Sequence, residues 1–414
     1  MTPFPTVSTA PVTGVGPRAA RSLAAEFARH NAPASALVIG ADHASAVVEA
    51  AVEALLPGDS LTLVTGERST ADLLRDHIAG LGSWIADRVR VVDSLEEAEP
   101  ADVVIFGEPL TGTAEEARAA LDAVSKHLRD GAVVSVATPA VPGRTGGAAA
   151  ELFRQSALFG VGSDLVLRNQ PPLRIHKLRF SPADPAIAAT LAPAYRPSSV
   201  PVTRTMHLDS NGVAAAGIAL GLAAVARAAR PKSKLWLLPA LAAAPVAAFF
   251  RDPERDVPTE ADAVVAASDG KVLSVEHVTD PRLGEGEFLR IAVFLSVLDV
   301  HVNRVPVAGR VADYFVIDGG YANAMTAAAE HNVAAYTVLD TDHGRVVVAQ
   351  RTGLIARRIV QRAPVGTLVA RGERMGLIRF GSRTDVYLPA DRATAVVGVG
   401  DRVIGGSSVI ARWS

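Results

Sequence analysis

Gly376-Leu377-Ile378-Arg379-Phe380-Gly381-Ser382-Arg383-Thr384-Asp385-Val386-Tyr387-Leu388-Pro389 holds two short apolar runs with a Gly-Ser pair between them. Leu377, Ile378 and Phe380 make one run; Val386, Tyr387 and Leu388 make the other. Short apolar runs bounded by Gly and Pro predict strands. Glycine opens backbone conformations closed to other residues. That freedom suits a serine hydroxyl that must reach the carbonyl of its own preceding residue. A plain hairpin with glycine at its bend would use the same residues, so the surroundings decide.

From Phe249 onward the chain consists of short β-branched runs separated by Gly, Pro and Asp. Examples are Ala263-Val264-Val265-Ala266, Gly270 to Val275, Phe288 to Phe294 and Arg345 to Val348. A helical pattern survives mainly from Ala322 to His331. This predicts a β-rich domain over residues 252–414.

Four stretches of that domain carry a family resemblance, in order. The first is Phe249-Phe250-Arg251-Asp252-Pro253-Glu254-Arg255-Asp256-Val257-Pro258, and the second is Ala267-Ser268-Asp269-Gly270-Lys271-Val272. The third is Phe294-Leu295-Ser296-Val297-Leu298-Asp299-Val300-His301-Val302-Asn303-Arg304-Val305-Pro306. The fourth is the run around Ser382, and Gly353 to Val360 matches a strand before it. Together they resemble the phosphatidylserine decarboxylases, in particular the short bacterial and archaeal form. That form carries Arg-Phe-Gly-Ser-Arg, a polar residue and then Val-Tyr-Leu-Pro at its self-cleavage site. The resemblance covers about residues 206–414.

The resemblance implies that the Gly381-Ser382 bond breaks and that Ser382 becomes a pyruvoyl group, with no metal involved. It implies phosphatidylserine as substrate, with phosphatidylethanolamine and carbon dioxide as products of phospholipid biosynthesis. The large and small chains made by the cut stay associated, and a homodimer is compatible with it. The pyruvoyl ketone serves as an electron sink, the role that pyridoxal phosphate fills elsewhere.

The residue types fit that chemistry. A serine nucleophile needs a nearby base. Histidine is the usual base at neutral pH, and an acid beside it fixes its tautomer. His301 and Asp269 supply these types. Longer family members carry a second histidine three residues after the first, and this chain has Arg304 there. His301 therefore serves maturation, decarboxylation or both. His331 and His343 have no matching context and stay unassigned.

The first part of the chain reads differently. Residues 1–33 read as a leader with a short helix and no convincing signal peptide. Over residues 34–185, apolar runs at Ala36-Leu37-Val38-Ile39, Leu61 to Val64, Val89 to Val92, Asp102 to Phe106 and Ala132 to Val136 alternate with helical patterns. The helices are expected at Ala46–Leu56, Ala71–Leu81 and Thr113–Leu128. This alternation predicts a parallel, doubly wound α/β sheet of Rossmann-like type. Order and spacing resemble the class I S-adenosylmethionine-dependent methyltransferases over residues 34–180. The first strand ends in Gly40-Ala41-Asp42-His43-Ala44, where such enzymes usually carry several glycines. Glu67 stands where an acidic residue would hold a ribose. Gly143 to Gly147 has no phosphate-loop signature. A fold that has lost its cofactor is the favoured reading over a working methyltransferase.

Pro182, Pro185, Pro193, Pro197 and Pro201 mark a linker, assigned to residues 186–205. Residues 206–251 then hold two uncharged stretches, Val213 to Ala226 (14 residues) and Leu235 to Phe250 (16 residues). Each falls short of the roughly 20 apolar residues of a spanning helix. A hairpin dipping into one leaflet fits, its basic connection of Arg227, Arg230, Lys232 and Lys234 turned to anionic head groups. The chain is expected at the cell membrane, peripheral or monotopic, on the cytoplasmic face.

Composition sets the outer limits. The 414 residues suffice for several domains, 49% are hydrophobic, and the net charge of −2 gives no case for nucleic acid. With no cysteine, disulfides, thiolate nucleophiles and Cys-zinc sites are excluded. The alternatives to a decarboxylase are a non-catalytic lipid-binding module of the same fold and a bifunctional protein with an active N-terminal methyltransferase.

Overall fold

Leu37, Val38, Leu61, Leu63, Val103, Val104 and Ile105 are almost wholly buried. Continuous burial along a strand means that both faces are covered. The computed structural model describes residues 14–140, 147–194, 200–354, 358–378 and 382–414. Residues 1–13 of the expected leader, the loop from Gly143 to Gly146 and the Gly381 side of the expected cut lie outside the described residues.

The chain divides into two compact units, Met1–Pro197 with Gly366–Leu368, and Ser198–Val365 with Val369–Ser414. The first holds β1 (Ser35–Ile39), β2 (Ser60–Val64), β3 (Val89–Val92), β4 (Ala101–Phe106), β5 (Leu128–Pro139), β6 (Gly160–Val166) and β7 (Leu173–Leu178). They form one sheet in the order β3-β2-β1-β4-β5-β7-β6. The β1 to β5 pairs are parallel, and β7 runs antiparallel to both its neighbours. The order reverses between β1 and β4, as in a Rossmann-like doubly wound sheet.

The longer helices of this unit are α1 (Pro17–Leu23), α2 (Ala46–Glu53), α3 (Arg68–Gly80), α4 (Ala114–Val124) and α5 (Gly147–Phe159). α4 starts on a capping box, in which Thr113 Oγ1 accepts from the Glu116 N–H and Glu116 accepts from the Thr113 N–H. Ala19, Ala20 and Leu23 of α1 pack in the same cluster as Val38 and Val47. The helix expected in the leader thus belongs to this unit's core. Glu67 is exposed just ahead of α3.

The second unit starts with an apolar hairpin, α6 (Ser210–Ala229) and α7 (Leu237–Phe249). α6 is longer than its uncharged run because Asp209 caps it, accepting from the Asn211 N–H, while Arg227 is tolerated in its last turn. By length and composition α6 is able to cross a membrane.

The β-rich part contains β8 (Gly270–Val278), β9 (Phe288–Leu295), β10 (Val302–Arg304), β11 (Gly309–Ile317), β12 (Ala334–Thr341), β13 (Gly344–Arg351), β14 (Ile359–Gln361), β15 (Arg374–Ile378) and β16 (Ser382–Pro389). The inner run of an eight-stranded sheet is β11-β12-β13-β16-β9-β8, and a small sheet has the order β10-β15-β14. Between Ala322 and His331 the structure has only a 3-10 turn, Ala327–His331, not a full helix. The buried Asn332 side chain bonds the Ala322 N–H, the Ala322 carbonyl and the Thr352 carbonyl, which holds this segment as a loop.

Candidate active site

β15 and β16, the two runs of the Gly-Ser stretch, are strands, but they do not pair with each other. β15 pairs with β10 and β14, whereas β16 pairs with β9 and β13. The chain therefore passes from the small sheet to the large one between Ile378 and Ser382, and the simple hairpin reading does not hold. Ser382 is the first residue of β16, opposite Leu295. It is fully buried, and its Oγ has no hydrogen-bond partner among the described residues. A buried hydroxyl without a partner costs stability and calls for a reason.

Side chains alternate across a strand, so β16 sorts its residues onto two faces. Ser382 and Thr384 share one face with Val386 and Leu388. Directly opposite residues lie on the same face, which adds Leu295, Val293 and Gln350. On this side Thr384 Oγ1 and Ser268 Oγ are 2.6 Å apart, and Gln350 Nε2 donates to Asn303 Oδ1 at 2.7 Å.

The other face carries Arg383, Asp385 and Tyr387. Asp385 is fully buried and accepts from Arg351 Nε at 2.7 Å and Arg383 Nε at 2.5 Å. Burial alone would raise its pKa, but the guanidiniums of Arg383 and Arg351 outweigh burial and hold it below the usual carboxylate value. Glu330 pairs with Arg383 at 2.9 Å and with Arg290 at 3.0 Å.

His301 immediately precedes β10, and its carbonyl accepts from the Ile378 N–H at 3.3 Å. It thus lies beside the last described residue before Ser382. The ring is almost fully buried, and Phe249 covers it at a centroid distance of 4.1 Å. Nδ1 lies 2.9 Å from the Asp299 carbonyl, the geometry of an Nδ1–H donor. Asp299 is itself fixed, its carboxylate accepting from Ser296 N and Oγ at 2.8 and 2.7 Å. Burial lowers the His301 pKa from 6.5 to about 4, against the opposing pull of the Asp299 carbonyl. At neutral pH the imidazole is uncharged and able to act as a base.

Asp269 is not the group that orients His301. Its carboxylate accepts from Arg255 Nη2 at 2.9 and 2.8 Å and from the Gly405 N–H at 2.8 Å. A backbone carbonyl has taken the place expected for the acid, because the Asp299 turn sits two residues from the histidine. Asp269 reaches the serine strand indirectly, through its neighbour Ser268 bonded to Thr384. Next to it, Gly270 has φ +150°, and a Cβ there would lie 2.1 Å from the Phe294 carbonyl. Only glycine fits so close to β9.

Arg304, standing where longer family members have histidine, is buried and bonded to Asp252 at 2.8 Å and to the Pro253 and Gly372 carbonyls. Burial, with Arg374 alongside, lowers its pKa to about 10. It stays cationic and serves as a tie for the segment after α7, not as a proton acceptor. Sequence reasoning missed Asp299, Asn303, Gln350 and Phe249. Asn303 had a signal: it lies in the histidine stretch with the period of two that puts it on the His301 side of a strand.

A family model described as phosphatidylserine decarboxylase matches residues 243–411. The phosphatidylserine decarboxylase proenzyme of Symbiobacterium thermophilum is 49% identical over 166 residues, which is 40% of this chain and 77% of that protein. The proenzyme of Nitratidesulfovibrio vulgaris is 45% identical over 168 residues, covering 40% and 76%. Among solved structures, a precorrin-6y C5,15-methyltransferase from Geobacter metallireducens is similar with TM-score 0.30 and 18% identity, covering 42% of this chain and 93% of its own. An O-methyltransferase from Bacillus cereus gives TM-score 0.29 and 16% identity, covering 42% and 84%.

Proposed function

Because the chain belongs to the phosphatidylserine decarboxylase family, we propose that Ser382 is the residue it converts to a pyruvoyl group by breaking its own Gly381-Ser382 bond. The enzyme is a carboxy-lyase: it removes the carboxylate of phosphatidylserine as carbon dioxide and leaves phosphatidylethanolamine. The observation that carries the assignment is the buried, unpartnered Ser382 Oγ, at the first residue of a central strand where the chain changes sheets.

In this reading neutral His301 takes the hydroxyl proton while Oγ bonds to the Gly381 carbonyl carbon and the peptide C–N bond gives way. The ester then eliminates: the Ser382 Cα proton is removed, the Cβ–Oγ bond breaks as a Cα–Cβ double bond forms, and the Gly381 carboxylate leaves, which separates the chains. Hydrolysis of the remaining enamine releases ammonia. The ketone so formed supplies an acceptor for the electron pair left by the departing carboxylate. Phe249 keeps water from the His301 ring, and the Asp299 carbonyl holds the proton on Nδ1 so that Nε2 is the basic nitrogen. Asp269, with Ser268 and Arg255, positions the turn against β16. After the cut, Ser382–Ser414 stays bound, because β16 pairs on both sides.

The substrate sits in a membrane, and the hairpin gives the protein a seat there. Ile218, Leu222 and Val225 of α6 and Leu238 and Leu241 of α7 are exposed. An exposed apolar surface of this kind fits lipid better than water. We place the hairpin in the cytoplasmic leaflet, with Arg227, Arg230, Lys232 and Lys234 at the head groups.

A denaturing gel tests the assignment. The purified protein should run as two chains and Ser382→Ala as one. A two-chain Ser382→Ala protein, or a wild-type protein that is one chain and a lipid binder only, sinks it.

A further inference from the structure

Two buried amide side chains in the layer of Ser382 keep one donor and one acceptor unmet. Asn303 and Gln350 are fully buried and bonded to each other, yet Asn303 Nδ2 and Gln350 Oε1 have no hydrogen-bond partner among the described residues. Exchanging nitrogen and oxygen on both amides gives the same outcome, one free donor beside one free acceptor. Buried polar groups are almost always satisfied. Two exceptions on touching side chains need a cause.

Their position supplies it. Gln350 lies opposite Thr384, and Ser382 is the next residue along that face of β16. Diagonal neighbours of this kind lie about 7–8 Å apart, within reach of long side chains. Asn303 comes two residues after His301, opposite Gly376 on β15. A Cβ on Gly376 would lie 2.3 Å from the Val360 carbonyl and 3.4 Å from Gln350 Nε2. Glycine there lets β15 lie close against the amide pair. The pair thus bridges the two sheets at the level where Ser382 begins, with His301 just before the strand that carries Asn303.

We propose that the Asn303–Gln350 pair recognises the amino-acid end of the substrate head group, its free donor on the carboxylate and its free acceptor on the amine N–H. This rests on Ser382 being the reactive residue. Phosphatidylserine differs from its product only by the carboxylate, so a donor placed there favours substrate over product. A neutral amide also suits the reaction. A buried cation would stabilise the carboxylate most in the ground state, which holds back its loss; an uncharged N–H orients it with less of that penalty.

The double variant Asn303→Leu/Gln350→Met tests the proposal. Replacing both partners with apolar groups of similar shape tends to be neutral or stabilising, so this protein should melt no lower than wild type and still run as two chains. The ligands are glycerophospho-N-acetylserine and glycerophospho-N-acetylethanolamine, whose blocked amines cannot condense with a ketone. Wild type should prefer the serine ligand by about tenfold or more in calorimetry, the size of one hydrogen bond to a charged group. The double variant should lose that preference, and its KM for phosphatidylserine in mixed micelles should rise more than its kcat falls. An unchanged preference in the processed double variant overturns the proposal. So does a double variant that stays uncut, since the pair then serves the cut and not the substrate. If the double variant loses its cooperative melt, Gln350→Glu replaces it. That change keeps the shape, occupies the Asn303 donor and sets a negative charge beside the ligand carboxylate, so a retained serine preference would again overturn the proposal. A wild-type protein that remains a single chain fails the Ser382 assignment instead, and the gel shows this before any ligand is added.

Discussion

The ring of Phe249, the last residue of α7, lies 4.1 Å from the ring of His301. The apolar hairpin and the histidine of the site are therefore packed as one piece. The same phenyl cluster includes Phe250 and Leu377, which ties the hairpin to the strand that precedes the expected cut. Phe249→Ala uncovers the imidazole. Its pKa should move up from about 4 toward 6.5, because water then solvates the charged form. Titration of the His301 ring signals by NMR in wild type and variant checks this, and an unmoved pKa would show that Phe249 is not the source of the burial.

The depressed His301 pKa also sets a pH window. The unfolded chain takes up this proton at about 6.5 and the folded chain only near 4. Between those values the unfolded state binds more protons, so the stabilisation is complete above pH 6.5 and is lost as pH falls toward 4. The difference is on the order of 3 kcal/mol. His176 in the other unit has the same shift from burial and adds its own share. Chemical denaturation from pH 4 to 7 should show the His301→Gln protein losing less stability on acidification than wild type. A parallel slope would contradict the assignment.

As base for the cut, His301 should give a processing rate that is flat at neutral pH and falls only as pH approaches 4. His301→Ala should accumulate as uncut proenzyme, slowed by about 10²–10⁴-fold. If it instead cuts at the wild-type rate and then fails to release carbon dioxide, the histidine acts on the substrate alone.

The fold was legible in the sequence wherever apolar periodicity was clean. The inner strands of the first unit fall where Ala36 to Ile39 and Asp102 to Phe106 place them, because buried parallel strands read as near-continuous apolar runs. Ser382 and His301 were legible only through family motifs. The charge pairings were not legible, because neighbours in space, not in sequence, decide them. Asp269 pairs with Arg255 and Gly405, and Arg304 with Asp252, and no local pattern announces either pair. Asn303 and Gln350 are 47 residues apart and meet only because two sheets are stacked.

Asp385 anchors the strand that starts with Ser382. Asp385→Asn leaves Arg351 and Arg383 buried beside a neutral partner. Breaking a buried pair from one side costs about 3–5 kcal/mol. The processed protein should then release its small chain at lower denaturant than wild type, measured by size-exclusion chromatography in increasing urea. Equal retention would show that backbone pairing alone holds β16.

Leu222→Asp/Leu241→Asp places charges on the two exposed apolar helices of the hairpin. Flotation with anionic liposomes should fall sharply, while the two-chain pattern on a gel stays normal. Undiminished flotation would mean that the hairpin is not the membrane seat.

The intact mass of the purified protein bears most directly on Ser382. Two masses should appear, one ending at Gly381 and one running from residue 382 to Ser414. The smaller should be lighter than its encoded peptide by the change of a serine to a pyruvoyl group, and it should resist Edman degradation. A single full-length mass, or a small chain with a free serine amino terminus, would contradict the account.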